Sequence, residues 1–338
     1  MSLLVSAANA VGDYVVFATK SQVVASGEFQ VHLGTFNSQL ELVIKDDLSL
    51  VEVERLCRDH AIDHVVVPDG DSFAYALAKG HAWTWRGSIT VLVMREKGQP
   101  SRFPGVTFAK TVAKVLLLQA ANLRPRIQVR VLKSAIWKGH SLLPVSRDPV
   151  TFSTFTETNN NSFAPILTDQ FFWFGVLGKV SHRKNLPLVA SALAAVNRAD
   201  VALVVAGQIE EGVLDLAQPA LQRIRDRGGC VTIVNRLLTD IEMDDLIRRI
   251  DCAVLAHSNE GPSGILGKAA AAGTRVVAAG ASSLRIDCRN IGPGAEWAPL
   301  KESHLSFALA RAISQPGPLP SQNASAGEFA AGLLGHKP

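Results

Sequence analysis

Acidic residues are missing altogether from one stretch of this 338-residue chain: from Lys97 to Arg147 there are ten basic residues and no Asp or Glu. The remainder holds 24 basic against 30 acidic residues, so the formal net charge of +4 conceals two portions of opposite sign. A basic portion of this kind predicts an anionic partner, with anionic lipid, a lipid-phosphate acceptor and nucleic acid all fitting, or else a basic face without a partner. Cysteine is scarce and scattered. Cys57, Cys230, Cys252 and Cys288 form no close pairs and no metal-ligand spacing, which excludes a disulfide framework and a zinc site and predicts reduced thiols. No apolar run reaches the roughly 20 residues of a membrane span. The opening MSLLVSAANAVGDY has no Lys or Arg ahead of its short apolar run, so a secretory signal is not expected.

Several nucleotide and hydrolase signatures are absent too. No Gly-x-Gly-x-x-Gly follows a strand pattern, which argues against a nicotinamide dehydrogenase. Gly267–Lys268 superficially suggests a phosphate loop, but Pro262 stands where the first glycine is needed and Ala269 where the metal-binding hydroxyl is needed. No Ser/His/Asp set stands out. What remains is a composition of 47% hydrophobic and 19% charged residues, which suits two globular domains, each with its own core.

Residues 1–150 alternate strand and helix patterns, the signature of a parallel α/β sheet. Strands are expected at Tyr14–Ala18, Phe29–Leu33, Leu40–Ile44, His64–Val67, Ser88–Met94 and Ile127–Leu132, and a helix over Ser49–His60. Asp69–Gly70–Asp71 follows one strand. Paired carboxylates can hold a divalent cation, but a polar turn gives the same letters, and no metal is expected. Residues 148–169 are rich in Thr, Asn and Ser and read as a linker over 151–169. A second domain, 170–313, opens on the buried strand Phe171–Val176. It continues through a strand at Val201–Ala206, a helix over Gly212–Asp226, a strand at Val231–Val234 and a capping box at Thr239–Glu242. The tail, 314–338, holds a helical pattern over Ser325–Leu334 that either crosses back to the first domain or frays.

The chain is organised around residues 251–273, DCAVLAHSNEGPSGILGKAAAAG. An apolar run, Cys252–Ala256, breaks into a polar loop with Glu260. A small-residue helix then starts near Ile265 and ends at Gly273. Helix N-termini present unpaired N–H groups and a favourable dipole to anions, so Gly261, Pro262, Ser263 and Gly264 form a candidate phosphate seat. Upstream, Gly178–Lys179 and Lys184 follow a buried strand and supply two cations five residues apart.

These two stretches resemble the donor site of retaining GT-B glycosyltransferases of the family-4 (group 1) type. Glu260 and Gly261 match the family's first Glu and Gly; the second acidic position, eight residues later, falls on Lys268. Lys184 matches the family's lysine, and Lys179 stands where Arg is usual. The resemblance covers about Phe171 to Gly280. It implies two Rossmann-like domains (GT-B fold) facing a central cleft, with the first of them, 1–150, on the acceptor side, short and without the family's Gly-Gly loop. Ser26–Gly27–Glu28 comes nearest to that loop, and His81 is a candidate for a sugar-positioning histidine.

The activity implied is transfer of a sugar, a hexosyl group, from a nucleoside-diphosphate donor to a saccharide or lipid-linked acceptor with retention. Glu260, Lys179 and Lys184 would be catalytic. Gly178, Gly261, Pro262, Ser263, Gly264, Ile265 and Lys268 would hold donor and phosphate, and Asn235 and Arg236 the nucleobase. No cofactor or metal is called for, because lysines carry the charge. A cytoplasmic protein follows by analogy, with the basic 97–147 region touching the inner face of an anionic membrane and no nucleic acid bound. The competing expectation, suggested by Lys268 and the missing Gly-Gly loop, is a GT-B-like protein without turnover that acts as a binding or scaffold partner.

Overall fold

The structure, a computed structural model, describes residues 1–36, 39–95, 104–152, 163, 166–321 and 324–335. The chain divides into two compact units. The first comprises Met1–Lys133, Gly139–Pro149 and Ala324–Pro338; the second comprises Ser134–Lys138 and Val150–Asn323.

In the first unit β1 (Val16–Thr19) and β2 (Glu41–Ile44) form a parallel pair. A four-stranded parallel sheet runs in the order β3 (His64–Val67), β4 (Ser88–Val93), β5 (Ile127–Lys133), β6 (Val145–Arg147). Parallel neighbours need crossovers, and the helices Asp71–Ala78 and Pro104–Asn122 occupy two of them. The sheet is apolar on both faces because both are covered. Ile89, Val91 and Val93 pack with Leu77 and Leu118 in one cluster. Leu92 and Leu132 point the other way, to Leu4, Ala330 and Leu333. The helix Ala326–Leu334 therefore completes the core of the first unit, and His64 Nε2 lies 2.7 Å from the carbonyl of Leu333.

The structure refines the reading of several stretches. Phe29–Leu33 is not a strand but part of the helix Gly27–Leu33. Its alternating apolar residues suggested period 2, yet the pair that matters is Phe29 and Leu33, buried four apart, with Val31 left exposed. Ser26 starts that helix, its Oγ accepting from the Phe29 amide at 3.2 Å, so Ser26–Gly27–Glu28, the nearest match to the family's Gly-Gly loop, is a helix cap. Asp69–Gly70–Asp71 is likewise a helix start, in which Asp71 takes the Lys114 ammonium at 2.7 Å. The segment read as a linker carries packed anchors: Phe163 and Leu167 are buried in the core of the second unit. Its residues 153–162 and 164–165 lie outside the described residues, as do Lys97 and Arg102 of the basic stretch.

The second unit is a six-stranded parallel sheet of β7 (Phe172–Leu177), β8 (Val201–Ala206), β9 (Cys230–Val234), β10 (Cys252–His257), β11 (Arg275–Gly280) and β12 (Ala295–Ala298). Their spatial order is β12-β11-β10-β7-β8-β9. Leu203 and Val205 enter the core on one face, Ala202 and Val204 on the other. The chain winds outward in opposite directions from β7 and from β10. That reversal opens a crevice beyond the carboxyl ends of these two strands, where open α/β sheets hold ligands.

Candidate functional site

Both stretches singled out in the sequence emerge at this reversal. β7 is followed by Gly178, held at φ +81°, and β8 by Gly207, at φ +128°. A Cβ on Gly207 would collide with the carbonyl of Gly178, so the two loops approach each other only because position 207 is glycine. The loops then run side by side, the Val180 amide bonding the carbonyl of Gln208 and the Glu210 amide that of Val180, both at 2.9 Å. Between them opens a cavity of about 640 Å³ lined by Lys179, Ser181, Arg183, Gln208, Ile209 and Glu210. Lys179 and Arg183 are exposed and bring two cations to it.

Lys184 takes another direction. Its ammonium donates to the carbonyl of Leu177, under the Gly178 turn. Burial, with help from Arg183, lowers its pKa to about 8. Asn185 stands at φ +50° and its Nδ2 donates to Ala256 O at 2.7 Å. The Ser258 amide donates to Arg183 O at 3.0 Å. The loop after β7 is thereby tied to the loop after β10, and Ile265 Cδ1 comes within 4.0 Å of where a Gly178 Cβ would lie.

The loop after β10 leads into the helix Gly264–Ala272, where Ser263 is the N-cap and accepts from the Leu266 amide at 3.4 Å. Gly264 is exposed at the start of this helix, and Ile265 beside it is the residue whose side chain reaches toward Gly178. Glu260 is fixed from outside its own loop. Its carboxylate accepts from the amides of Ser282 at 2.7 Å and Ser283 at 2.9 Å, at the start of the helix Ser282–Ile291. Ser283 Oγ donates back to Gly261 O at 3.0 Å, which holds the turn at Gly261, φ +142°.

Lys268 does not reach Glu260. Its ammonium bonds Asp244, a buried carboxylate on the helix Asp240–Arg249, and lies 5.4 Å above the Phe152 ring. The helix turns position 268, which the family resemblance assigns to donor and phosphate, toward the neighbouring helix. Asn235 and Arg236 are engaged in the scaffold. Asn235 Oδ1 accepts from the Ile209 amide at 2.9 Å. Arg236 forms a two-pronged bond to Glu242, at 2.6 and 2.9 Å, within the capping box of Thr239. That pairing pulls the Glu242 pKa down to about 2. His81 belongs to the first unit, where its carbonyl accepts from Arg124.

Sequence reasoning passed over Arg183, Asn185, Gln208, Glu210, His257 and the Ser282–Ser283 pair. Arg183 was legible in principle, being next to Lys184 in the same loop. His257 ends β10, and burial, then Lys184 and Arg183, drives its pKa down to about 4, so it is neutral at pH 7. The serine pair gave no signal, because nothing in the chain between them and Glu260 announces the contact. Among the described residues no group of His, Cys, Asp and Glu is arranged to hold a metal ion.

Residues 170–294, which contain every part of this site, match the family model of glycosyl transferases group 1. No curated protein matches the chain in sequence. Among solved structures, HepE of Anabaena in complex with UDP and glucose is similar at a TM-score of 0.64 and 17% identity, over 98% of this chain and 91% of that one. Sucrose-phosphate synthase of Thermosynechococcus elongatus is similar at 0.63 and 12%, over 98% and 87%. MnaA of S. aureus with UDP is similar at 0.57 and 13%, over 98% and 90%. These likenesses show the fold: α/β, GT-B, with two Rossmann-like domains.

Proposed function

We propose that the protein is a glycosyltransferase that takes a nucleoside-diphosphate sugar into the second unit and passes the sugar to a saccharide or lipid-linked acceptor with retention. The observation that carries this reading is the cavity at the strand-order reversal, where Lys179 and Arg183 stand exposed in a loop that Arg183 and Asn185 tie to the end of β10, ahead of the helix Gly264–Ala272. The group 1 family match over that unit supports it, as do the similar structures that contain UDP.

When the bond from sugar to diphosphate breaks, negative charge collects on the leaving phosphate oxygens. Fixed cations and amides stabilise that charge without reorganising, which is where such a site gains most of its rate. A diphosphate facing Lys184 would favour its charged form, offsetting the burial that now lowers its pKa. Glu260, its carboxylate clamped by two amides, would orient the sugar hydroxyls. The acceptor oxygen bonds the anomeric carbon on the face the diphosphate leaves, and its proton passes to the leaving group. Donors of this kind fit a cytoplasmic protein, and the chemistry described needs no cofactor.

The test is a melting series with UDP, GDP and ADP, followed by donor turnover. A true donor nucleotide raises stability by about 2.7 kcal/mol at a hundred times its Kd. Lys179→Ala and Arg183→Ala should each weaken it about tenfold, the worth of one charge-assisted bond. A protein that melts identically with all three nucleotides does not carry this activity.

A further inference from the structure

The helix Pro104–Asn122 carries too little charge for its exposure. Its buried side, through Val115, Leu118 and Ala121, packs into the core of the first unit. Its outward side is also apolar: Val112 is 40% exposed, Leu116 63% and Leu123, just past its end, 85%. Ala109, Ala113 and Ala120 lie between them and are exposed as well. Phe108, 72% exposed, widens the face on one flank, and Val106 and Leu117 widen it on the other. Leu142, 76% exposed, is held beside it by Gln119, whose side chain donates to the Leu142 carbonyl. A helix that is apolar all round is normally enclosed, and a contiguous exposed apolar surface marks something it docks on. The helix is not a span: among the described residues none is long and apolar enough to cross a membrane.

The charges around this face have one sign. Lys110 is exposed on the helix, and Arg124 and Arg126 follow directly after its end. Arg124 is anchored by Nη1 to the carbonyl of His81 at 2.9 Å. The other lysine, Lys114, is turned inward to Asp71 and the Arg95 carbonyl. No Asp or Glu occurs between 97 and 147 to offset them. A second copy of the chain would set Lys110, Arg124 and Arg126 against their own duplicates. A surface of anionic headgroups over acyl chains answers both features, because the basic flanks meet phosphates while the leucines enter the boundary below.

We propose that this face of the first unit, with Val112, Leu116 and Leu123 at its centre and Lys110, Arg124 and Arg126 around it, docks on the surface of an anionic lipid bilayer. The test is co-sedimentation of the full chain with vesicles of phosphatidylcholine alone and of phosphatidylcholine mixed with phosphatidylglycerol. The expected result is partition onto the mixed vesicles only, weakening as salt is raised. Arg124→Gln combined with Arg126→Gln should lower the partition about thirtyfold, at one headgroup attraction per charge. Leu116→Ser combined with Leu123→Ser should lower it at least about tenfold through lost apolar burial. Leu116 and Leu123 are both exposed, so the melting temperature of the double serine variant should match that of the parent. Equal binding to neutral vesicles, no binding to either, or a concentration-dependent dimer that Leu116→Ser abolishes would each overturn the proposal.

Discussion

At the scale of single residues, His257 shows how a site is set by neighbours that its own sequence position does not reveal. Its pKa falls from 6.5 to about 4 because burial and two nearby cations disfavour the imidazolium. The unfolded chain therefore binds a proton over a pH range in which the folded one does not. Stability is complete above the unfolded value and drains away as pH falls from 6.5 toward 4. Urea unfolding at pH 7 and pH 5 should show a loss of roughly 1–2 kcal/mol traceable to this group. The loss should be absent from His257→Gln and so appear as a pH-dependent difference from wild type; an unchanged pH slope in the variant would mean that the imidazole is already solvated. Lys179, Lys184 and Glu260 were all visible in the sequence as chemistry. Which of them faces the cavity and which is bonded to the scaffold was not, because a side chain's direction depends on the loop beneath it.

At the scale of elements, the capping box at Thr239 and the Gly273 helix stop are local signals, and helices form where they say. Phe29–Leu33 misled because three apolar residues at spacing two also satisfy spacing four. The pairing of Lys268 with Asp244 is a property of two helices packed together. Lys268→Glu would set a second carboxylate against a buried one, and the unfolding free energy should drop by about 3 kcal/mol or more. Adding Asp244→Lys should recover part of it. Full stability of Lys268→Glu alone would show that the pair contributes nothing.

At the scale of the whole molecule, the last described helix belongs to the unit that the chain left at Pro149 and rejoins at Ala324. Leu333 is fully buried against Leu4, Leu92 and Leu132. Deleting residues 324–338 uncovers that cluster. It should lower the stability of the first unit by several kcal/mol, since one buried leucine alone costs about 2–5 kcal/mol. Hydrogen exchange localises the effect: amides of β4 and β5 lose protection, whereas protection retained there would deny the helix its structural role.

The sequence by itself determined that each unit is built on parallel strands, the strands β3, β8 and β10 nearly residue for residue, and the glycine-bearing turns beside a pair of lysines. Each of these rests on hydrophobic period, on cap chemistry or on a backbone angle that glycine alone adopts readily. Only the tertiary structure decided that Arg183 joins Lys179 at the cavity, that Lys268 turns to Asp244 and that Ser282 and Ser283 clamp Glu260. Among the described residues it also left the outer face of Pro104–Asn122 exposed. Those outcomes depend on which elements become neighbours in space, and residues that meet there from distant points of the chain share no local pattern by which to recognise one another.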